Sequence, residues 1–201
     1  MKLFAIALLS ALTLITSGVS SLASDGNLNF KTLSVPSSVK DPTEYKKTAS
    51  TLLISCVDFR LRDETEKLME QIGLLDFYDE VVMPGASLAL VSEKHKHWAQ
   101  TTKDIIGLLK DLHSIKQVIL LDHKDCGAFE VAYGAKKIKN DEMCLHKSVM
   151  ATATKKIQKS FPGLKVYALI MDVDGTVENV TDELTKSQCN KCNCTNCKCA
   201  K

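Results

Sequence analysis

Two short clusters in this chain carry residue types that do chemistry together. The first is Cys56-Val57-Asp58-Phe59-Arg60 and the second is His123-Lys124-Asp125-Cys126-Gly127. Two thiolates and an imidazole suit a zinc ion, which takes sulfur and nitrogen donors in tetrahedral geometry. Cys56, His123 and Cys126 supply three ligands and leave a fourth position for water, the arrangement of a catalytic rather than a structural zinc site. Zinc in such a place lowers the pKa of its water toward neutrality and so provides a hydroxide nucleophile. Asp58, two residues beyond Cys56, can accept a hydrogen bond from that water. Arg60, two further on, keeps the carboxylate ionised and fixes its geometry. Gly127 lets the chain turn tightly after a ligand. The competing readings are a closed structural zinc or a Cys56–Cys126 disulfide, and neither needs a charged pair beside the sulfur.

Both clusters need elements to aim them, and the sequence supplies those. Thr51–Ser55 is a short apolar run ending at Cys56, and Gln117–Leu121 is another ending at Asp122-His123. Such runs read as buried strands. Glu80–Met83, stopped by Pro84-Gly85, and Lys165–Val173 are two more, with Thr176–Val180 pairing back after an Asp174-Gly175 turn. Helical periodicity appears over Asp63–Leu75, Trp98–Ile115 and Asp141–Ser160. On the second helix the predicted apolar face is Trp98, Thr101, Ile105, Leu108, Leu109 and Leu112. Strands alternating with helices indicate an α/β fold with a mostly parallel central sheet flanked by helices. Ligands bind such sheets beyond the carboxyl ends of the strands, where Cys56 and His123 fall.

The paired signature Cys56-x-Asp58-x-Arg60 and His123-x-x-Cys126-Gly127 resembles that of the β-class carbonic anhydrases, and the resemblance extends over roughly residues 51–180. It implies that fold, one zinc per subunit on Cys56, His123 and Cys126, and Asp58 with Arg60 as the orienting dyad. It also implies reversible hydration of CO₂ to bicarbonate by a zinc-bound hydroxide, in a homodimer or larger assembly with sites at the subunit interface. Some members close the site by moving the dyad aspartate onto zinc, which Asp58 could do. The chain departs from the family at Phe59, where a small residue is common. It departs again at Met83-Pro84-Gly85-Ala86-Ser87, where many members carry a polar run. Relatives on this fold hydrolyse CS₂ or COS, which keeps that substrate class open, and a non-catalytic store for thiophilic metal is a further alternative.

The ends of the chain read differently. Leu3–Ile15 is apolar after Met1-Lys2, and Ser21-Leu22-Ala23 offers a signal-peptidase site, so residues 1–23 read as a signal peptide. The run is too short for a membrane span. The mature protein is expected to be exported, periplasmic or secreted, with no stable membrane span. Residues 24–50 form a polar arm, 51–184 the carbonic-anhydrase-like domain and 185–201 a tail. That tail holds Cys189, Cys192, Cys194, Cys197 and Cys199 at CxxC and CxC spacings. It lacks the apolar residues for a core and is expected to be disordered. Its thiols suit Cu(I), Zn²⁺ or Cd²⁺ as in metallothionein-like segments, or else oxidise after export.

The remaining candidates carry plainer readings. A net charge of +2, without a basic stripe, argues against nucleic acid. Cys144 reads as a packed thiol, and His95 and His97 as residues at a helix start. His113 and His146 read as surface or cap residues. Asp122 and Asp125 read either as supports for a ligand or as solvated loop carboxylates, and Asp172 and Asp174 as turn residues. Asn179-Val180-Thr181 and Asn193-Cys194-Thr195 are formal glycosylation sequons that matter only in a eukaryotic secretory setting.

Overall fold

The computed structural model describes residues 48–185. The signal peptide expected over 1–23, the arm as far as residue 47 and the cysteine-rich tail from 186 lie outside the described residues. Within them, β1 (Thr51–Cys56), β2 (Tyr78–Met83), β3 (Gln117–His123), β4 (Lys165–Met171) and β5 (Val177–Asn179) form one sheet in the order β2-β1-β3-β4-β5. The first four run parallel and β5 pairs antiparallel to β4. The helices are α1 (Arg62–Gln71), α2 (Lys96–Leu112), α3 (Gly127–Tyr133), α4 (Ala135–Ser160) and α5 (Thr181–Thr185).

The apolar runs become strands because both faces of the sheet are covered, so every position gains by being apolar. Leu53, Ile119, Leu121 and Met171 pack with Met69 of α1 on one face. Leu52, Ile54, Val118 and Leu120 pack with Ile106 of α2 and with Met150, Ala153 and Ile157 of α4 on the other. Leu52, Leu53 and Ile54 all lose their solvent exposure completely. A Leu or Ile buried this way contributes about 1.5–3 kcal/mol, so β1 is held as a rigid post directly beneath Cys56. No helix among the described residues is long and apolar enough to cross a membrane.

Two expectations need correcting. The apolar face predicted for α2 is rotated in part, although Leu109 packs against the core as expected. Thr102 and Ile106 are the buried positions, whereas Leu108 and Leu112 are 54% and 61% exposed. The helix carries apolar residues on more than one side, and its partners choose between them: the sheet takes Ile106, and Phe161 closes on Gly107. The helix expected from Asp141 begins earlier, at Ala135, with a kink at Asp141 whose φ of −139° leaves the helical region. The short helix α3 just after Cys126 was not predicted at all, because seven residues are too few to display a period.

Candidate metal centre

The sheet register does the first part of the assembly. Ser55 of β1 lies beside Leu121 of β3, so Cys56 leaves its strand next to the end of β3, where His123 sits. Beyond β3 the chain turns through Asp125, which adopts a left-handed φ of 55°. Cys126 then caps the start of α3, and the Ala128 and Phe129 N–H groups point to its sulfur. The tight turn expected of Gly127 therefore occurs at Asp125 instead. Gly127 opens the helix with no positive φ, and a Cβ there would meet open space.

These turns bring Cys56, His123 and Cys126 into one group whose ligand atoms all lie within 4.8 Å of one another. The two sulfurs are 3.9 Å apart and both thiols are free. That is far beyond the ~2.05 Å of a disulfide, but close to the roughly 3.8 Å that two thiolates span on one tetrahedral zinc. His123 is 3% exposed and its Nδ1 donates to the Lys124 carbonyl at 2.7 Å. In the neutral ring this bond leaves Nε2 as the unprotonated nitrogen, and Nε2 is buried with no hydrogen-bond partner. An orphaned imidazole nitrogen beside two sulfurs fits a thiophilic metal ion, and zinc is the ion this donor set suits.

The charge state of the group fits as well. The Cys126 thiol 3.9 Å away, then the adjacent His123 ring and the Gly85 N–H, overcome burial and hold the Cys56 thiol well below its ordinary range. Cys126 moves the other way, pushed up by the Cys56 sulfur beside it and by burial. Burial alone would lower His123, and the Cys56 sulfur more than reverses it. Cys56 is thus the sulfur of the pair that ionises more readily, and metal binding must release the proton that Cys126 holds.

Asp58 and Arg60 stand on the solvent side. Asp58 caps a single 3-10 turn, Phe59–Leu61, by accepting from the Arg60 N–H at 3.0 Å. The Arg60 guanidinium grips the same carboxylate, Nη2 to Oδ2 at 2.7 Å and Nε to Oδ1 at 3.0 Å. Those bonds hold Asp58 well below its ordinary 3.8, at about 2. Its Oδ2 is 3.8 Å from His123 Nε2. Arg60 also reaches across to the second cluster, Nη1 to Asp125 Oδ2 at 2.8 Å and Nη2 to the Asp125 carbonyl at 3.1 Å. The Asp125 N–H in turn meets Glu142 Oε1 at 2.6 Å. One arginine therefore clamps the two motifs together, a role for Asp125 that its place in the sequence did not reveal.

The turn after β2 contributes more than expected. Its side chains depart from the family's polar run, yet the Gly85 N–H donates to Cys56 Sγ at 3.3 Å. Gly85 has a φ of 69°, and a Cβ there would lie 3.0 Å from Leu88 Cβ, so only glycine serves. Two residues on, Ser87 donates to Asp122 from its N–H at 3.0 Å and from its hydroxyl at 2.7 Å. Asp122 is 1% exposed and is no solvated loop carboxylate. Its third partner is His146 Nδ1 at 3.0 Å. His146 is fully buried, its ring 3.9 Å from that of Phe129 and tilted 37° to it, rather than a surface or cap residue. The helical spacing of His146 with Met150, Ala153 and Ile157 was the available signal, since all four lie on the buried face of α4.

The other candidates lie apart from the group. Cys144 is half-buried on α4. His113 caps the C-terminus of α2 and bonds Asp79 at 2.9 Å. His95 precedes α2, stacks on Trp98 at 4.1 Å and lines a cavity of about 790 Å³ with Leu88, Val91 and Val149. None of the three ligand residues lines that cavity. Asp172 and Asp174 build the turn before β5, and Asp172 also pairs with Lys124. Asn179 ends β5 and caps Thr181.

Residues 46–181 match a family described as "Putative carbonic anhydrase", and the chain belongs to that family. An uncharacterized protein of Rickettsia bellii is 51% identical over 142 residues, which cover 68% of this chain and 87% of that one. One of Rickettsia conorii is 48% identical over 147 residues, covering 71% and 79%. Among solved structures, a β-carbonic anhydrase of Trichomonas vaginalis aligns with a TM-score of 0.44 and 12% identity, covering 70% of this chain and 88% of that one.

Proposed function

We propose that this protein is a zinc enzyme that catalyses reversible hydration of CO₂ to bicarbonate, with one zinc per subunit on Cys56, His123 and Cys126. The observation that carries the proposal is the orphaned His123 Nε2 beside two sulfurs 3.9 Å apart, next to a carboxylate already clamped by an arginine. Bound there, zinc would supply a Lewis acid that makes a nucleophile from water near neutral pH.

The chain's own residues then divide the work. Asp58 accepts a hydrogen bond from the attacking water and turns its lone pair toward carbon. With its carboxyl held at about 2, Asp58 does not retain a proton at neutral pH. It is an orienting acceptor, and the proton released on hydration passes to solvent or buffer. Arg60 keeps both Asp58 oxygens engaged, which holds the carboxylate in the dyad. Gly85 steadies the Cys56 thiolate through its N–H.

The test is stopped-flow CO₂ hydration by the mature zinc-loaded protein beside Asp58→Ala and Cys126→Ala. Turnover above background that collapses in both variants supports the proposal. Zinc binding without CO₂ hydration at any pH overturns it, and turnover of CS₂ or COS would then name the other substrate class. Several exchangeable ions per chain in place of one tight zinc would favour the metal store.

The proposal extends to assembly and location. Val57 and Phe59, beside Cys56 and Asp58, are 52% and 84% exposed, which supports a homodimer or larger assembly formed near the site. Sedimentation of the mature protein checks it, and a monomer at micromolar concentration would count against it. The leader read over 1–23 supports export, for which a mature N-terminus near Ser24 is the expected result.

A further inference from the structure

We infer that Ser87, Asp122 and His146 are positioning residues for the metal centre, a reading that rests on the zinc proposal above. Three donors converge on the Asp122 carboxylate: Ser87 N–H at 3.0 Å, Ser87 Oγ at 2.7 Å and His146 Nδ1 at 3.0 Å. All three residues are at most 1% exposed, in a fold whose neighbouring positions are apolar. A buried polar trio is a poor way to gain stability, because well-packed apolar residues of similar volume do as well or better. Its distinctive property is direction.

The trio joins three parts of the site. Asp122 immediately precedes His123 at the end of β3. Ser87 lies two residues after Gly85, whose N–H meets Cys56 Sγ. His146 anchors both to α4 and presses on Phe129, which follows Cys126 by three residues on α3. Each ligand-bearing segment is thus tied to the same carboxylate or to the ring that holds it. A shift of Asp122 moves His123 directly, and through Ser87 it moves the donor on Cys56. Groups of this kind typically change metal affinity or activity by about 10–100-fold when removed.

The experiment compares Ser87→Ala and Asp122→Asn with Ile157→Val, a core substitution on α4 away from the trio, and with Cys126→Ala. Two readouts are used: zinc affinity by competition with a chelating dye, and the sulfur-to-metal charge-transfer bands of the Co²⁺-substituted protein. The expected result is a zinc affinity weakened about 10-fold or more in Ser87→Ala and Asp122→Asn, with displaced charge-transfer bands. Ile157→Val should lower Tm and leave both readouts as in the wild type. If Ser87→Ala and Asp122→Asn lower Tm but keep zinc affinity within twofold and the bands in place, the trio is only structural and the inference fails. Should Asp122→Asn not fold, Ser87→Ala decides alone, since it removes one hydroxyl and keeps the backbone donor. If Cys126→Ala binds zinc as the wild type does, the zinc reading itself is wrong, an outcome separate from failure of the trio.

Discussion

Two polar assemblies flank the cysteine–histidine group, and they differ in their access to water. Outside, Arg60 ties Asp58 to Asp125 with side chains 40%, 15% and 72% exposed. Inside, Ser87, Asp122 and His146 are tied together at 1% exposure or less. Charges in water interact weakly and are replaced by solvent at little cost when a partner is removed. A buried carboxylate has no such substitute, and losing it leaves its former partners unsatisfied. The outer assembly should therefore matter for chemistry and little for stability, and the inner one for both.

The largest effect that would break this comparison is on stability. Asp122→Ala removes three hydrogen bonds from a dry site and is expected to cost about 3–5 kcal/mol in urea unfolding. A loss below about 1 kcal/mol would mean that the inner trio behaves like an exposed one. Gly85→Ala comes next, at about 1–2 kcal/mol, because it forces a side chain into φ 69° against Leu88. It should also weaken zinc binding by moving the donor on Cys56, which the same chelator competition reads.

Asp58→Asn should leave unfolding within about 1 kcal/mol of the wild type while CO₂ hydration falls by at least about 10-fold. Equal losses in both would erase the distinction between the assemblies. Arg60→Gln sharpens it through pH. The carboxyl of Asp58 is depressed from 3.8 to about 2 in the folded protein, so its stabilising contribution is complete above about 3.8 and lost as pH falls toward 2. In Arg60→Gln that acid-side slope should flatten in unfolding curves taken from pH 2 to 5. Curves parallel to the wild type would show that Arg60 does not hold Asp58. The smallest effect is expected of Phe59→Ser, within about 0.5 kcal/mol because the ring is 84% exposed. A larger loss of stability at high protein concentration would reveal a subunit contact there.

Some of this was legible before any fold was known. Cys56 and His123 each lie one polar residue beyond an apolar run, Leu52–Ile54 and Val118–Leu121, which marks a buried strand and its functional end. The buried face of α2 was not legible, since Ile105 and Ile106 are adjacent and only packing against the sheet selects one. The inner trio was legible only in part, for a related reason. Asp122 reads either as a support for a ligand or as a solvated loop carboxylate, although its parity with Val118 and Leu120 already placed it on the α2/α4 face of the sheet. His146 reads as a surface or cap residue until its spacing with Met150 and Ala153 is given a direction.

By itself the sequence determined the ligand types, their local spacing and the strands that present them. Those depend on neighbours along the chain and on burial that apolar runs announce. Only the tertiary structure decided that Cys56 meets Cys126 across 70 positions, that Arg60 reaches Asp125 across 65, and that Ser87 and His146 close on Asp122. Those encounters follow from the β1–β3 register and from the face that α4 turns inward. Both are set by the packing of the whole core and not by any local run of residues.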